Sequence, residues 1–357
     1  MNDVAATIDA QLNPYLEDLK SLTVPKSKNG LGFASVFCGG GGLDLGFSAA
    51  GFKPLFSSDV ESNYCETIKK NLGQIDHIVE PHDISKLSGI DVKNRVSGKI
   101  DVVIGGPPCQ SFSILGSRGS IKDPRGQLAY EYARFVKEIK PRAFLFENVP
   151  GLLTLNKGED WNSLLNFFEA ETGYHIKWTK LNAAWFGAPQ LRQRVIAVGF
   201  KTKKDLSKFE WPEAIFSDSS NQFELGLQPP RTSSLALESV AGLPNHILRK
   251  QGERVSTRYS TVPAGGRDKK DHTDRIHPDK PSGTVLVGSG AGGGRPFIHP
   301  SEHRHITVRE AARLQSFPDW WEFHGGPTSS YRQVGNAVPP MMARAIARNI
   351  ALALGAE

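Results

Sequence analysis

The chain has 357 residues, 39% hydrophobic and 22% charged, which excludes a disordered chain and at roughly 150 residues per domain predicts two domains. Its formal charge of +6 permits a polyanionic partner without requiring one, and no apolar run of about 18 residues predicts a membrane span. The acidic start lacks the features of a secretory signal, and the three cysteines, Cys38, Cys65 and Cys109, have neither disulfide-framework nor zinc spacing, so a reducing cytosol and no metal are expected.

Through the first 200 residues short apolar runs alternate with helical patterns. Leu31 to Phe37 reads as a buried strand that runs into glycines, and Pro54 to Ser58 as a second strand. A helix follows, with Tyr64, Ile68 and Leu72 spaced by four. Ile78 centres a weak third strand, IDVVI at 100–104 is a fourth, and Ala143 to Phe146 a fifth. Between the last two, Leu128, Tyr132, Phe135, Val136 and Ile139 share one helical face. This alternation predicts a parallel sheet covered on both faces. Tyr174 to Leu181 and Val195 to Phe200 read as strands with no helix between them, hence an antiparallel pair ending the sheet. Residues 201–300 turn to Pro, Ser, Gly and charge, with a basic stretch from Asn245 to Lys270. Regular structure returns near Thr307, and the chain ends in a helix with Met342, Ile346, Ile350 and Ala353 on one face.

Several positions could carry chemistry. The run from Phe37 through Gly42 joins a strand to a helix, where glycines allow a ligand to approach the backbone; an ordinary tight turn is the other reading. Asp59, at the end of the second strand, suits ribose hydroxyls or a helix cap, and Asp83 has the same two readings. Cys109 follows two prolines beyond the fourth strand, where an α/β sheet presents its ligands, and reads as a nucleophile rather than a core residue. Glu147 ends the fifth strand, either as a cap or as an acid beside Cys109. Strand alternation puts Gln190, Arg192 and Arg194 on one face, an arrangement that suits either an anionic ligand or a solvated edge with acidic partners.

In order along the chain stand FCGGGGLDLGF (37–47), GGPPCQSFS (105–113), DPRGQL (123–128), ENVPG (147–151), QLRQR (190–194), RHITVREAARLQSFPD (304–319) and QVGNAVPP (333–340). This series resembles the DNA cytosine-5 methyltransferases, the bacterial restriction–modification type in particular. Two departures are Ser35, where the family often has Asp, and Val60 in place of a tryptophan that some members stack on adenine.

The resemblance implies an α/β, Rossmann-like S-adenosylmethionine-dependent methyltransferase fold, mostly parallel with an antiparallel last strand. Residues 1–200 and 332–357 would form a discontinuous catalytic and cofactor-binding domain, and 201–331 a smaller, irregular, β-rich target-recognition domain with its hinge. Cys109, Glu147, Arg192 and Arg194 would be catalytic: Cys109 adds to the flipped cytosine, Glu147 holds ring nitrogen 3 and the amine, Arg194 grips the carbonyl oxygen, and Arg192 supports Glu147 or a phosphate. Phe37, Gly39, Gly41 and Gly42 would meet the cofactor, with Asp59 on its ribose and Asp83 near the adenine amine. Val60, Ile84, Pro107, Leu128, Asn336 and Ala337 complete that set. Gln110, Ser113, Arg118 and Arg125 would touch DNA from a mobile loop, and Arg249, Lys250, Arg254 and Arg258 from the insert. The implied partners are double-stranded DNA and a separately encoded restriction endonuclease, for a monomeric enzyme in the bacterial cytoplasm. An RNA cytosine-5 methyltransferase of the same superfamily is the alternative. A nicotinamide-dependent oxidoreductase would leave PPCQ, ENV and QLRQR without a role.

Overall fold

The computed structural model describes residues 13–25, 30–73, 76–108, 127–217, 226–249, 251–286 and 297–356. Helix α1 (Pro14–Lys20) starts behind Asn13, whose side chain accepts from two backbone N–H groups of its first turn. Then come β1 (Gly32–Val36), α2 (Gly42–Ala49), β2 (Lys53–Asp59), α3 (Ser62–Leu72), β3 (Ile78–Pro81), α4 (Gly89–Arg95) and β4 (Ile100–Gly105). Helix α5 (Gln127–Ile139), β5 (Ala143–Asn148), α6 (Glu159–Thr172), β6 (His175–Asn182) and β7 (Gln193–Phe200) complete the sheet and its covering. Beyond it lie α7 (Lys203–Lys208), α8 (Ser233–Leu237), α9 (Glu253–Ser260), α10 (Val308–Leu314), α11 (Pro327–Asn336) and α12 (Pro340–Ala353).

The seven strands lie in the order β3-β2-β1-β4-β5-β7-β6. The first five are parallel to one another, and β7 runs antiparallel to both β5 and β6. The chain winds outward from β1 in one direction and from β4 in the other, so the order switches between those two strands. A crevice for ligands opens at such a point, beyond the carboxyl ends of the strands.

Strand alternation sorts the core into two layers. Phe33, Val102, Ile104, Leu145, Ile196 and Val198 face α2 and α12, which contribute Leu43, Phe47, Met342, Ile346 and Ile350. Ala34, Val36, Val103, Phe144, Phe146 and Val195 face α5 and α6, which contribute Tyr132, Phe135, Val136, Trp161 and Phe168. Burying each of Met342, Ile346 and Ile350 contributes roughly 1.5–3 kcal/mol, enough to hold the C-terminal helix against the sheet without polar contacts. A third cluster joins Tyr15 and Leu19 of α1, Leu45 of α2 and Ile68 of α3 to Ile276, Ile306, Leu314, Phe317 and Trp321. Trp321 is thus the buried anchor of the pair, while Trp320 is 40% exposed.

Three expectations change. Helix α6 was not anticipated, although Trp161, Leu164 and Phe168 already show helical spacing and are buried. The β-rich character expected of 201–331 reduces, among the described residues, to isolated bridges such as Arg275 with Ile298. Frequent prolines and glycines deprive this stretch of ladder donors and of side chains to pack on a pleat. Helix α11 also runs unbroken across the boundary placed at 331/332.

The C-terminal segment closes on the glycine turn. A Cβ on Gly40 would lie 2.7 Å from the Gln333 carbonyl oxygen, one on Gly41 would lie 2.5 Å from the Trp321 ring, and one on Gly42 would lie 2.0 Å from the Val338 carbonyl oxygen. Gly42→Ala should therefore destabilise the protein by about 1–3 kcal/mol or more through overpacking against backbone. Gly151→Ala, whose Cβ would meet nothing within 4 Å, should stay within roughly ±0.5 kcal/mol. Urea unfolding of the two variants checks this, and equal midpoints would contradict it.

Candidate active site

The site forms where β1, β2, β4 and β5 end. Phe37 leaves β1 with φ 56°, and Gly39 and Gly41 also adopt positive φ, which turns the chain sharply into α2. The Cys38 N–H donates to the Ser58 carbonyl, so the turn starts as a continuation of the β1–β2 ladder. Asp59 ends β2. Its Oδ2 accepts from the Gly39 N–H at 3.0 Å and its Oδ1 from the Glu61 N–H at 3.1 Å. Burial pushes its carboxyl above the ordinary range, against those two N–H groups. Asp59 thus braces the turn, while the cap position of α3 belongs to Glu61 and not to Asp59 as the second reading had it.

The donor set fits an adenosine-bearing ligand. A Cβ at Gly39 would meet only its own turn, at 4.0 Å, so open space lies beside this glycine. Gly41 and Gly42 owe their identity instead to Trp321 and Val338. Asp59 is half-buried and keeps spare acceptor capacity, and Val60 and Asn336 are exposed at the rim. Asp83 is exposed and caps the turn after it by accepting from the Ser85 N–H, and Ile84 is buried. Pro107 and Ala337 are buried, and Leu128 packs half-buried against the second core layer.

Across the crevice, Glu147 is buried at the end of β5, and its Oε1 lies 2.8 Å from Nε of Arg194. The two come together because β5 and β7 are antiparallel neighbours. Burial raises the Glu147 carboxyl, with Arg194 and then Arg192 opposing. A Cβ at Gly106 would lie 2.5 Å from Oε2 of Glu147, so the glycine of GGPP makes room for this carboxyl. Asn148, given no role by the sequence reading, donates from Nδ2 to the Pro107 carbonyl at 3.1 Å and ties the root of the PPCQ segment to β5. Its adjacency to Glu147 in ENV was the available signal. Cys109, Gln110, Ser113, Arg118, Arg125 and Lys250 lie outside the described residues.

Arg192 differs from expectation. The alternation holds, with Gln190, Arg192 and Arg194 all buried, yet the Arg192 guanidinium donates to neither Glu147 nor an anion site. It donates to the carbonyls of Val285 at 3.2 Å and Gly335 at 2.7 Å. Gln190 behaves similarly: its Nε2 donates to the Leu314 carbonyl at 3.1 Å and its Oε1 accepts from the Val285 N–H at 2.9 Å. A fully buried guanidinium demands acceptors, and these carbonyls serve its two terminal nitrogens while Nε is left without a partner. Gln190 and Arg192 therefore strap the sheet to the 282–335 region, and Arg194 alone of the three faces the carboxyl.

In the insert, Arg258 is spoken for as well. Its guanidinium bridges Asp268 and Asp271 and lies over the Tyr259 ring, which leaves Arg249 and Arg254 as exposed cations. His299 is buried beside Glu310, and His305 meets the Tyr259 hydroxyl at 2.7 Å, so both serve internal contacts. Among the described residues no cluster could hold a metal ion and no helix is long and apolar enough to cross a membrane.

Arg192→Met should leave the Val285 and Gly335 carbonyls buried without this donor and cost about 2–6 kcal/mol at any pH. Arg194→Met removes the main charge opposing burial, so the Glu147 carboxyl rises further. A carboxyl raised by folding stabilises the fold below its unfolded value and loses that contribution as pH rises. Arg194→Met should then lose more stability than wild type as pH rises above about 4.5. Urea titrations from pH 4 to 8 read both effects, and an Arg194→Met profile parallel to wild type would refute the second.

Comparison with known proteins gives the family. A model of the C-5 cytosine-specific DNA methylase family matches residues 31–352. Type II methyltransferase M1.HphI of Haemophilus parahaemolyticus is 37% identical over 358 residues, covering 95% of this chain and 89% of the relative. M.NgoFVII of Neisseria gonorrhoeae is 35% identical over 331 residues, covering 88% and 85%. A crystal structure from Escherichia coli, described as a DNA modification methyltransferase encoded within a prophage, superposes with TM-score 0.72 at 28% identity and covers 91% of this chain and 99% of that one. The Dnmt2 methyltransferase of S. pombe, at 19% identity and TM-score 0.60, shares the fold. The chain belongs to the C-5 cytosine-specific DNA methylase family and is a DNA cytosine-5 methyltransferase.

Proposed function

We propose that the chain methylates cytosine within a specific duplex DNA sequence, drawing on S-adenosylmethionine held between the Phe37–Gly42 turn, Asp59 and Asn336. The observation that carries this reading is the buried Glu147–Arg194 pair at 2.8 Å beside the Pro107 root of the PPCQ segment. When bound, S-adenosylmethionine supplies an electrophilic methyl group. The reacting carbon of cytosine is inaccessible in a stacked duplex, so the base must be flipped out. The thiolate of Cys109, two residues beyond Pro107, adds to carbon 6 and makes carbon 5 nucleophilic. Glu147, raised by burial, donates its proton at ring nitrogen 3, while Arg194 turns its guanidinium from Glu147 to the carbonyl oxygen of the base. Once carbon 5 carries the methyl group, loss of its proton to solvent expels the Cys109 thiolate, and the proton on ring nitrogen 3 returns to Glu147, restoring both side chains.

Residues 1–200 with the C-terminal segment from α11 onward serve as the catalytic unit, and the stretch between them as the part that reads DNA. Arg249 and Arg254 offer phosphate contacts, and Lys250 belongs to the same basic stretch; Arg258 is withdrawn from this role because two carboxylates already hold it. The curated relatives named above are Type II methyltransferases, which favours a modification enzyme of a restriction–modification system, partnered by a separate endonuclease and acting as a cytoplasmic monomer.

Cys109→Ser should abolish methylation and keep DNA binding. Duplex DNA carrying 5-fluorocytosine at the target should trap wild type covalently, since fluorine cannot leave as a proton does. A denaturing gel showing trapping by Cys109→Ser, or none by wild type, would remove Cys109 from the role. Asp59→Ala should weaken S-adenosylmethionine binding by about 1.5–3 kcal/mol, the contribution of hydrogen bonds to a charged acceptor. An unchanged dissociation constant would take Asp59 out of the site.

A further inference from the structure

A carboxyl that the methyl-transfer chemistry does not use lies directly beneath the glycine turn. Asp44, in the first turn of α2, is fully buried. Its Oδ2 meets the Ser35 hydroxyl at 2.9 Å and its Oδ1 the Ser57 hydroxyl at 2.7 Å. Ser35 and Ser57 are register partners on β1 and β2. Two residues beyond Ser35 the turn begins at Phe37, and two beyond Ser57 stands Asp59. One carboxyl therefore ties together the strand ends that carry the two halves of the site. The chain of contacts continues: Ser57 Oγ lies 3.0 Å from Nε2 of His77, and His77 Nδ1 lies 3.2 Å from the Leu72 carbonyl oxygen.

Counting protons along this chain fixes its state. The Leu72 carbonyl can only accept, so His77 Nδ1 carries hydrogen. Ser57 has one hydroxyl proton. If Ser57 gives it to His77 Nε2, Asp44 Oδ1 must be protonated; if it goes to Asp44, Nε2 must carry hydrogen and His77 is an imidazolium. An ionised carboxyl with a neutral imidazole leaves one contact unmade. We infer that Asp44, Ser57 and His77 form a buried relay that holds one extra proton, and that Asp44 is a positioning residue setting the glycine turn against Asp59. The positioning half rests on the reading of the turn and Asp59 as the cofactor site.

Burial raises the Asp44 carboxyl to about 6 and lowers the His77 imidazole to about 4, which puts the proton at the Asp44 end. The two serine hydroxyls and the helix N-terminus oppose the rise at Asp44, and Asp59, on β2, reinforces it. In the unfolded chain the ordinary values, 3.8 and 6.5, place the same proton on the imidazole. Between roughly pH 4 and 6 folding moves the proton from His77 to Asp44 without net uptake, so the pair adds no pH slope to stability.

Asp44→Asn supplies an amide that mimics the protonated carboxyl and removes its titration. The histidine term is then unmasked: the unfolded state binds one proton more, and stability falls as pH falls. Relative to wild type, the unfolding constant of Asp44→Asn should rise about tenfold per pH unit from 6 to 4. A flat ratio overturns the relay. At about pH 5, below the Asp44 value of about 6, isothermal titration with S-adenosylmethionine should give Asp44→Asn within about threefold of wild type, and Asp44→Ala at least tenfold weaker. Ser57→Ala, which keeps the size of the site, should weaken binding in the same direction and serves if Asp44→Ala does not fold. Wild-type affinity in both truncations overturns the positioning role. If wild type itself binds no S-adenosylmethionine, the cofactor reading falls and takes the positioning role with it, while the unfolding ratio still decides the relay.

Discussion

Everything at the crevice depends on how closely two stretches of backbone meet, the turn at Gly40–Gly42 and the segment from Gln333 to Val338. Side chains would separate them, since a Cβ at 42 would overlap a carbonyl oxygen at 2.0 Å. Without that approach, α12 could not lie on α2 with its apolar face shared across the sheet, and Asn336 would not reach the site rim. The glycines are thus a packing requirement first. Only Gly39 is left facing open space, and only there does the glycine serve the ligand side of the turn.

Electrostatics in the interior follows a division of labour. Arg194 faces a carboxyl, whereas Arg192 and Arg309 are capped by backbone carbonyls, the latter by those of Pro244, Pro318 and Trp321. Arg313 combines both modes, pairing with Asp319 and donating to the Glu238 carbonyl. A buried cation is costly unless its donors are satisfied, and carbonyls satisfy it without adding a titratable partner. Among the described residues, the carboxyl left with a raised proton affinity beside a guanidinium is Glu147, the one to which the proposed function gives chemistry.

The sheet and its covering were legible because strand and helix periods are local properties of side chains: IDVVI and the Tyr132 face appear in the structure where the sequence puts them. Four of the motif positions were legible for a related reason, as the glycine turn, GGPP, ENV and QLRQR sit at the ends of β1, β4, β5 and β7. What stayed hidden was the destination of long side chains. Nothing in QLRQR says that Arg192 reaches the carbonyls of residues 285 and 335, some 93 and 143 positions away. Likewise, the basic stretch does not disclose that Arg258 pairs with Asp268 and Asp271, because neither partner can be chosen without the turn between them. The proton held under the glycine turn was equally out of reach, since Asp44 and His77 meet only through Ser57, on a third element.

The straps at Gln190 and Arg192 have an evolutionary consequence. Both side chains address main-chain groups, at Val285, Leu314 and Gly335, and main-chain groups are the same whatever residue bears them. An attachment of this kind is blind to substitution at the far end. The segment it fastens is free to change its surface residues while its seat on the sheet is inherited intact.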